Sequence, residues 1–430
     1  MRIKTFGEVD RRSLEQLERC MRAGDAELGV LCADHHPGYS QPIGGAIAYE
    51  GYISPSGAGY DIGCGNKAAR TDLPAAELDV PAVMREIMRR ISFGMGVPAQ
   101  ERGDHPVLEK IRTAEFAPQR KLARLAADQL GTVGSGNHFV NFFEDEDGLV
   151  WVGVHFGSRG FGHRTASGFL ALAQGLDFEV RTHQGEMDSP PVLFEVGSEL
   201  GESYVAAMEL AGEYAYAGRD VVVAKVLEIL GAGATHEVHN HHNFAWREEH
   251  FGRTYWVIRK GCTPALPGQE GFVGGSMGDE SVILEGVEST EAEESLRSTV
   301  HGAGRVMSRS QAAGRIRRTT VRACPVRDCD FYVPAKEYSG QTCPEHGTKL
   351  GKARREIQVK PGVVDWPAVQ ARLHRQGIVL VGGGADEAPE VYKRLPEVLA
   401  AHAGSVRVKH RLRPLGVAMA GRDVFDPYKD

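Results

Sequence analysis

Asp61 and Cys64 lie three residues apart in GYDIGCGNKAAR (59–70), a carboxylate and a thiol set among three glycines. Glycine gives such a loop unusual backbone freedom and lets it approach a ligand closely. Further along the chain come GSGNHFV with His138, VHFGSRG with His155, HEVHNHHNFAW with His236, His239, His241 and His242, and HGAGRVMSR with His301. Carboxylate, imidazole and thiolate together suit a borderline divalent transition ion. A hard ion such as Mg²⁺ would not recruit so many nitrogens and a sulfur. A thiolate bridging two ions would explain how one cysteine serves several histidines. Taken singly, Cys64 also fits a tight turn around a buried thiol, and each histidine fits a structural role. The metal reading comes from their recurrence.

A second set of soft ligands stands apart. Of seven cysteines, Cys20, Cys32, Cys64 and Cys262 are scattered, while Cys324, Cys329 and Cys343 cluster in ACPVRDCDFYVPAKEYSGQTCPEHG (323–347). An odd, uneven set is not a secreted disulfide framework. With His346, the cluster makes two ligand pairs about a dozen residues apart, the spacing of a tetrahedral Cys₃His zinc site. Prolines after Cys324 and Cys343 fit tight knuckle turns. Reduced surface cysteines would give the same sequence.

The formal net charge is −7, so the chain as a whole does not advertise nucleic-acid binding. Locally it does. RVMSRSQAAGRIRRTTVR (305–322) holds six arginines and no acid, and SVRVKHRLR (405–413) is also basic. Guanidinium groups pair bidentately with phosphates, although a solvated helix face would also be arginine-rich.

These residues need a scaffold, and 430 residues at 42% hydrophobic and 25% charged can bury a substantial core. Helical spacing runs over 12–24, 79–91 and 203–230, the last as one long helix or two abutting ones, and over APEVYKRLPEVLAAHAG near the end. Strands are expected at 27–33, in GLVWVGVHFGSRG (148–160) running into a glycine loop, in YWVIRKG and SVILEGV, and in GIVLVGGG (377–384). The pattern is α+β. It predicts one large, compact domain of mixed β-sheets and helices spanning 1–430, with a small inserted zinc-ribbon-like module at 322–352. No run approaches a membrane span, and the charged N-terminus lacks an apolar signal core. A cytoplasmic protein without a membrane partner is expected.

The same stretches carry a family resemblance. DHHPGYSQPIGGAIA, GYDIGCG, GSGNHF, VHFGSRGFGH, HNHHN, RKG, GGSMG, HGAGRVMSR, APEVYK and LRPLGV follow one another in the order that resembles the RtcB family of RNA-splicing ligases. The resemblance covers residues 27 to 421, apart from the inserted module. It implies a ligase dependent on two Mn²⁺ ions and GTP. Such an enzyme joins RNA ending in a 3′-phosphate or 2′,3′-cyclic phosphate to RNA with a 5′-hydroxyl, through a guanylylated histidine. That histidine would be His301. Cys64 would bridge the ions, with His155 and His242 completing one site and Asp61 and His138 the other. Asn137 would contact a phosphate and Asn243 would lie beside the nucleotide. Phe139, Val140 and Asn141, Gly274, Gly275, Ser276 and Met277, Ser281, and Gly302, Ala303 and Gly304 would join His138, His242 and His301 in lining the GTP pocket. Arg159 and Arg309 would meet RNA phosphate. DNA ends are a conceivable substrate and an archease-like activator a conceivable partner.

Three positions depart from the family pattern. GVAMAG places Met419 or Ala420 where a guanine-contacting lysine is expected, Asn141 stands for an acid, and Phe156 replaces a serine. All three are expected near the guanosine or RNA end, which puts guanine selectivity in question, with Lys393 or Lys409 as substitute readers. The alternative activity is a divergent repair enzyme that guanylylates 3′-phosphate ends of RNA or DNA and joins them weakly or not at all. A binding protein that lost catalysis is the third reading, and the retained ligand set argues against it.

Overall fold

The computed structural model describes residues 1–180, 186–326, 329 and 331–421. Two sheets carry the fold. The first has five strands in the order Arg2–Thr5, Leu28–His36, Ile43–Tyr49, Arg253–Lys260, Asn243–His250. The second runs Glu270–Val273, Ser281–Gly286, Val406–Gly421, Phe139–Glu144, Leu149–Phe156, Gly65–Pro74, Ala234–His241, with Val379–Gly383 pairing alongside Val406–Gly421. The chain passes from the second sheet to the first between His241 and Asn243, with only His242 between the two strands. A residue at such a junction has both sheets at its back.

The segment 203–230 forms one helix, Glu199–Leu230, started by Ser198, whose side chain accepts from the Gly201 N–H. Its Tyr204, Met208 and Tyr214 pack with Phe161 and Phe169, while Val222, Val223 and Val226 pack against Val152, Val154 and Phe156 of the second sheet. One continuous helix therefore closes two cores. Its small residues matter as well: a Cβ on Gly212 would come 2.6 Å from the Phe244 ring, so the helix lies hard against the strands that carry the histidines.

The helices Arg11–Ala23 and Val80–Arg90 fall where periodicity puts them, the second with proline in its first turn. Elsewhere the structure corrects the sequence reading. The glycine loop after Phe156 is short, and a helix begins at Arg159. APEVYKRLPEVLAAHAG is not a single helix. It makes one 3₁₀ turn, Pro389–Val391, and a helix only from Leu395 to Ala400. Tyr392 between them is extended and bridges to Arg305, a tertiary contact that overrides helical spacing. The basic run at 405–413 belongs to the sixteen-residue strand Val406–Gly421, and its exposed Arg407, Lys409, Arg411 and Arg413 alternate with residues that are buried or half-buried.

Two antiparallel strands, Gly314–Ala323 and Gly351–Pro361, form an arm, with Tyr332–Pro334 as a third strand at its far end. The cysteine-rich segment lies between them. Among the described residues no helix is long and apolar enough to cross a membrane.

Candidate active site

The strand ends of the second sheet place the metal-type side chains. Cys64 immediately precedes Gly65–Pro74, His138 immediately precedes Phe139–Glu144, and His155 sits near the end of Leu149–Phe156. In register, Phe139 lies opposite His155 and Gly65 opposite Phe156. Three neighbouring strands thus deliver a thiol and two imidazoles to one point. Cys64 Sγ lies 3.3 Å from His155 Nε2 and 3.8 Å from His138 Nε2. Asp61 Oδ2 lies 3.2 Å from the same His138 nitrogen. His242, at the sheet junction, has its ring centroid 5.0 Å from that of His155 and 4.8 Å from that of His301. Its backbone N–H donates to Cys64 O. All five expected ligands converge, and Cys64 is central to them.

The donor set fits a divalent cation on its chemistry. Burial, reinforced by neighbouring imidazoles, holds His155 and His242 well below the ordinary histidine range, so both stay neutral, the form that ligates. His138 Nδ1 lies 3.0 Å from Val133 O, a bond that puts the proton on Nδ1 and turns the Nε2 lone pair toward Cys64. His242 Nδ1 is buried with no protein partner, an orphaned acceptor of the kind a cation satisfies. Burial and then the Asp61 carboxylate push the Cys64 thiol up, so a cation that binds there must displace its proton. Asp61 itself is held low by His138 in spite of desolvation.

Residues outside the expected set build the support. Arg219 is wholly buried and donates to Gly63 O at 2.9 Å and to Phe156 O at 2.6 Å, bracing both ligand-bearing loops, and donates also to His239 Nε2. His239 and His241 therefore back the ligands through Arg219, while His236 pairs with Glu270 at the protein surface. Gly157 is required by proximity, because any Cβ there would collide with the Asp61 carboxylate.

A cavity of about 320 Å³ opens from this cluster. His301 enters it from HGAG. Its Nδ1 lies 2.7 Å from Asp34 Oδ2, which also accepts from the His301 backbone N–H at 3.0 Å. Asp34 is fully buried. Desolvation would raise its pKa, yet the His301 ring keeps it below the ordinary carboxylate value. An ionised Asp34 accepts a hydrogen bond from Nδ1–H, which keeps the proton on Nδ1 and leaves His301 Nε2 as a free lone pair. The signal for this residue was the DHH of DHHPGY, which proximity in sequence could not connect to a histidine 267 positions away.

Most of the other expected pocket residues line the cavity: Asn137, Phe139, Asn141, Asn243, Gly274, Gly275, Ser276, Met277, Gly302, Ala303 and Gly304, with Arg309. Ser281 stands behind it and accepts from the Gly275 N–H at 3.0 Å. Val140 alternates to the opposite face and is buried in the core with Val152 and Val154. Arg159 lies beneath His138, its Nη1 3.3 Å from Nδ1, and does not line the cavity. Arg309 does, paired with Asp386 and Glu387, and Arg305 reaches Glu387 and the Tyr392 hydroxyl. His36, Lys260, Glu387 and Tyr392 line the cavity too. The RKG and APEVYK stretches hold two of them.

Of the three departures, two face the cavity. Register sets Met419 opposite Phe139 and Val417 opposite Asn141, and all four line it, so of the two candidates for the expected lysine position Met419, not Ala420, lines the cavity. Phe156 does not. It follows His155, so strand alternation turns its ring into the core behind the sheet. Neither substitute reader reaches the cavity: Lys393 donates to Ala33 O and His35 O, and Lys409 pairs with Glu270.

Residues 26–117 and 108–328 match the family described as tRNA-splicing ligase RtcB. The chain is 34% identical to the RNA-splicing ligase RtcB of Escherichia coli over 66% of this chain and 75% of that relative. It is 28% identical to the tRNA-splicing ligase RtcB of Thermococcus kodakarensis over 95% of this chain and 91% of that protein. Identity to the RNA-splicing ligase RtcB of Mycobacterium tuberculosis is also 28%, over 91% and 97%.

Proposed function

Because the chain belongs to the RtcB family of RNA-splicing ligases, we propose that it joins RNA 3′-phosphate or 2′,3′-cyclic phosphate ends to 5′-hydroxyl ends through a guanylylated His301. The observation that carries this reading is the His301–Asp34 pair, a buried carboxylate on Nδ1 with Nε2 left for attack, set beside the Cys64–His155–His242 cluster. A phosphate monoester is a poor electrophile. His301 Nε2 would attack the α-phosphate of GTP, forming a P–N bond as pyrophosphate leaves. The 3′-phosphate oxygen would then take the guanylate from His301. Last, the 5′-hydroxyl would attack the activated phosphorus, losing its proton as GMP departs. Asp61, Cys64, His138, His155 and His242 would hold two Mn²⁺ ions, which when bound neutralise phosphate charge. Arg305 and Arg309 stand at the other wall, where each would have to turn from its Asp386 or Glu387 partner to meet a phosphate oxygen.

The test of this step is Asp34. Asp34→Asn keeps the size but can donate to Nδ1, which favours the wrong tautomer. Adduct formation from labelled GTP should fall roughly 10²- to 10⁴-fold with the fold intact by circular dichroism. An unchanged rate would remove Asp34 from the step.

The base end of the cavity gives a second expectation. Met419 and Asn141 offer no charge where a lysine and an acid would read guanine. A hydrophobic wall discriminates by about 1–3 kcal/mol, roughly 10- to 200-fold, whereas a dedicated polar contact reaches 10⁴. Labelling with GTP, ATP and their deoxy forms in Mn²⁺ should therefore show ATP adduct at high concentration. Strict GTP dependence would mean that Asn141 or Glu387 reads the base unaided.

A further inference from the structure

The arm strands Gly314–Ala323 and Gly351–Pro361 end in a small body with almost no core of its own. Among the described residues its buried apolar cluster is Cys324, Cys329, Cys343 and Leu350, with Phe331, Val333 and Tyr338 partly buried against it. Such a body cannot hold a fold by hydrophobic burial, and domains of this size rely on a covalent or metal staple. All three cysteines are free thiols.

Their arrangement is that of a metal site. Cys329 Sγ lies 3.8 Å from Cys343 Sγ, and His346 Nδ1 lies 3.5 Å from Cys343 Sγ and 3.7 Å from Cys324 Sγ. With Zn–S near 2.3 Å and Zn–N near 2.0–2.1 Å, the edges of a tetrahedron are about 3.8 Å between sulfurs and about 3.6 Å between sulfur and nitrogen. The ligand atoms all lie within 4.8 Å of one another. The supporting contacts also match. The Val326 N–H donates to Cys324 Sγ and the Phe331 N–H to Cys329 Sγ, each two residues on, and the Thr348 hydroxyl lies 3.2 Å from Cys324 Sγ. Such bonds stabilise thiolates. The Gly347 N–H donates to Cys343 O, and Gly347 has φ +64°, a left-handed turn that swings His346 back over Cys343.

We propose that Cys324, Cys329, Cys343 and His346 bind one structural zinc ion, a closed four-ligand site that holds the tip of the arm and is separate from the Cys64 cluster. Four protein ligands leave no open position for a reacting water. This site is independent of the ligation reading, and its tests need no substrate.

Full-length protein from zinc-supplemented cells, dialysed against metal-free buffer, should carry about one zinc per chain by elemental analysis. The Cys64→Ala variant should keep it, while Cys343→Ser and His346→Ala should lose most of it. Should those variants misfold, cobalt replacement in the Cys64→Ala protein decides the matter. The proposal expects thiolate-to-cobalt charge transfer and the intense visible bands of a tetrahedral site. Wild-type protein without zinc, zinc undiminished by Cys343→Ser, or cobalt-loaded Cys64→Ala protein without those bands would overturn it.

Discussion

His301→Ala should take up no label from GTP at all. Wild-type protein with Mn²⁺ and labelled GTP should give an adduct labile to acid and stable to alkali, the behaviour of a phosphoramidate. Loss of the imidazole removes the only nitrogen in the account that forms the P–N bond, so the effect is complete and not graded. The fold should survive, because His301 packs against no core and its backbone N–H keeps its bond to Asp34 in the variant. Label that persists in His301→Ala would place the guanylate elsewhere, with His36 and His242, which also line the cavity, as the groups to examine next.

Cys64→Ser should be almost as damaging, and for a different reason. One sulfur stands within 3.8 Å of both His138 and His155, so its removal affects both ion positions together. Serine keeps the size but stays protonated near neutral pH and is a poor ligand for a borderline ion. Calorimetric titration with Mn²⁺ should show both tight sites lost. Asp61→Ala, by comparison, should weaken one and leave the other. Full activity in Cys64→Ser would put the thiol outside the coordination sphere and leave the buried His242 Nδ1 without an explanation.

Asp61, Cys64, His138 and His155 were legible in sequence because each sits beside a glycine-rich turn at or near a strand end, whereas His242 has no glycine beside it and its place in the set was implied by the family resemblance. Local pattern marks such positions. The long helix over 203–230 was legible for its periodicity. What sequence could not show were pairings between distant segments. Asp34 and His301 meet only because the strand Leu28–His36 and the HGAG loop lie side by side in the fold. Arg219 falls in a helix that looks merely amphipathic, and its role becomes visible only when Gly63 O and Phe156 O are found at its guanidinium. Phe156 and Val140 show the opposite fault. Both stand next to site residues in the motifs, yet the two-residue period of a strand sends them to the core. The helix expected at APEVYK failed because Tyr392 is held extended by Arg305, an interaction no local signal encodes.

The most direct test of the account is joining itself. A labelled RNA oligonucleotide with a 3′-phosphate is incubated with a 5′-hydroxyl partner, GTP, Mn²⁺ and the wild-type protein, and a DNA pair of the same sequence is run in parallel. The account predicts an RNA product of summed length whose junction phosphate derives from the 3′-phosphate strand, absent with His301→Ala. A 3′-end that gains guanylate and is never joined, or no change in either strand while Mn²⁺ and GTP are bound, would contradict it.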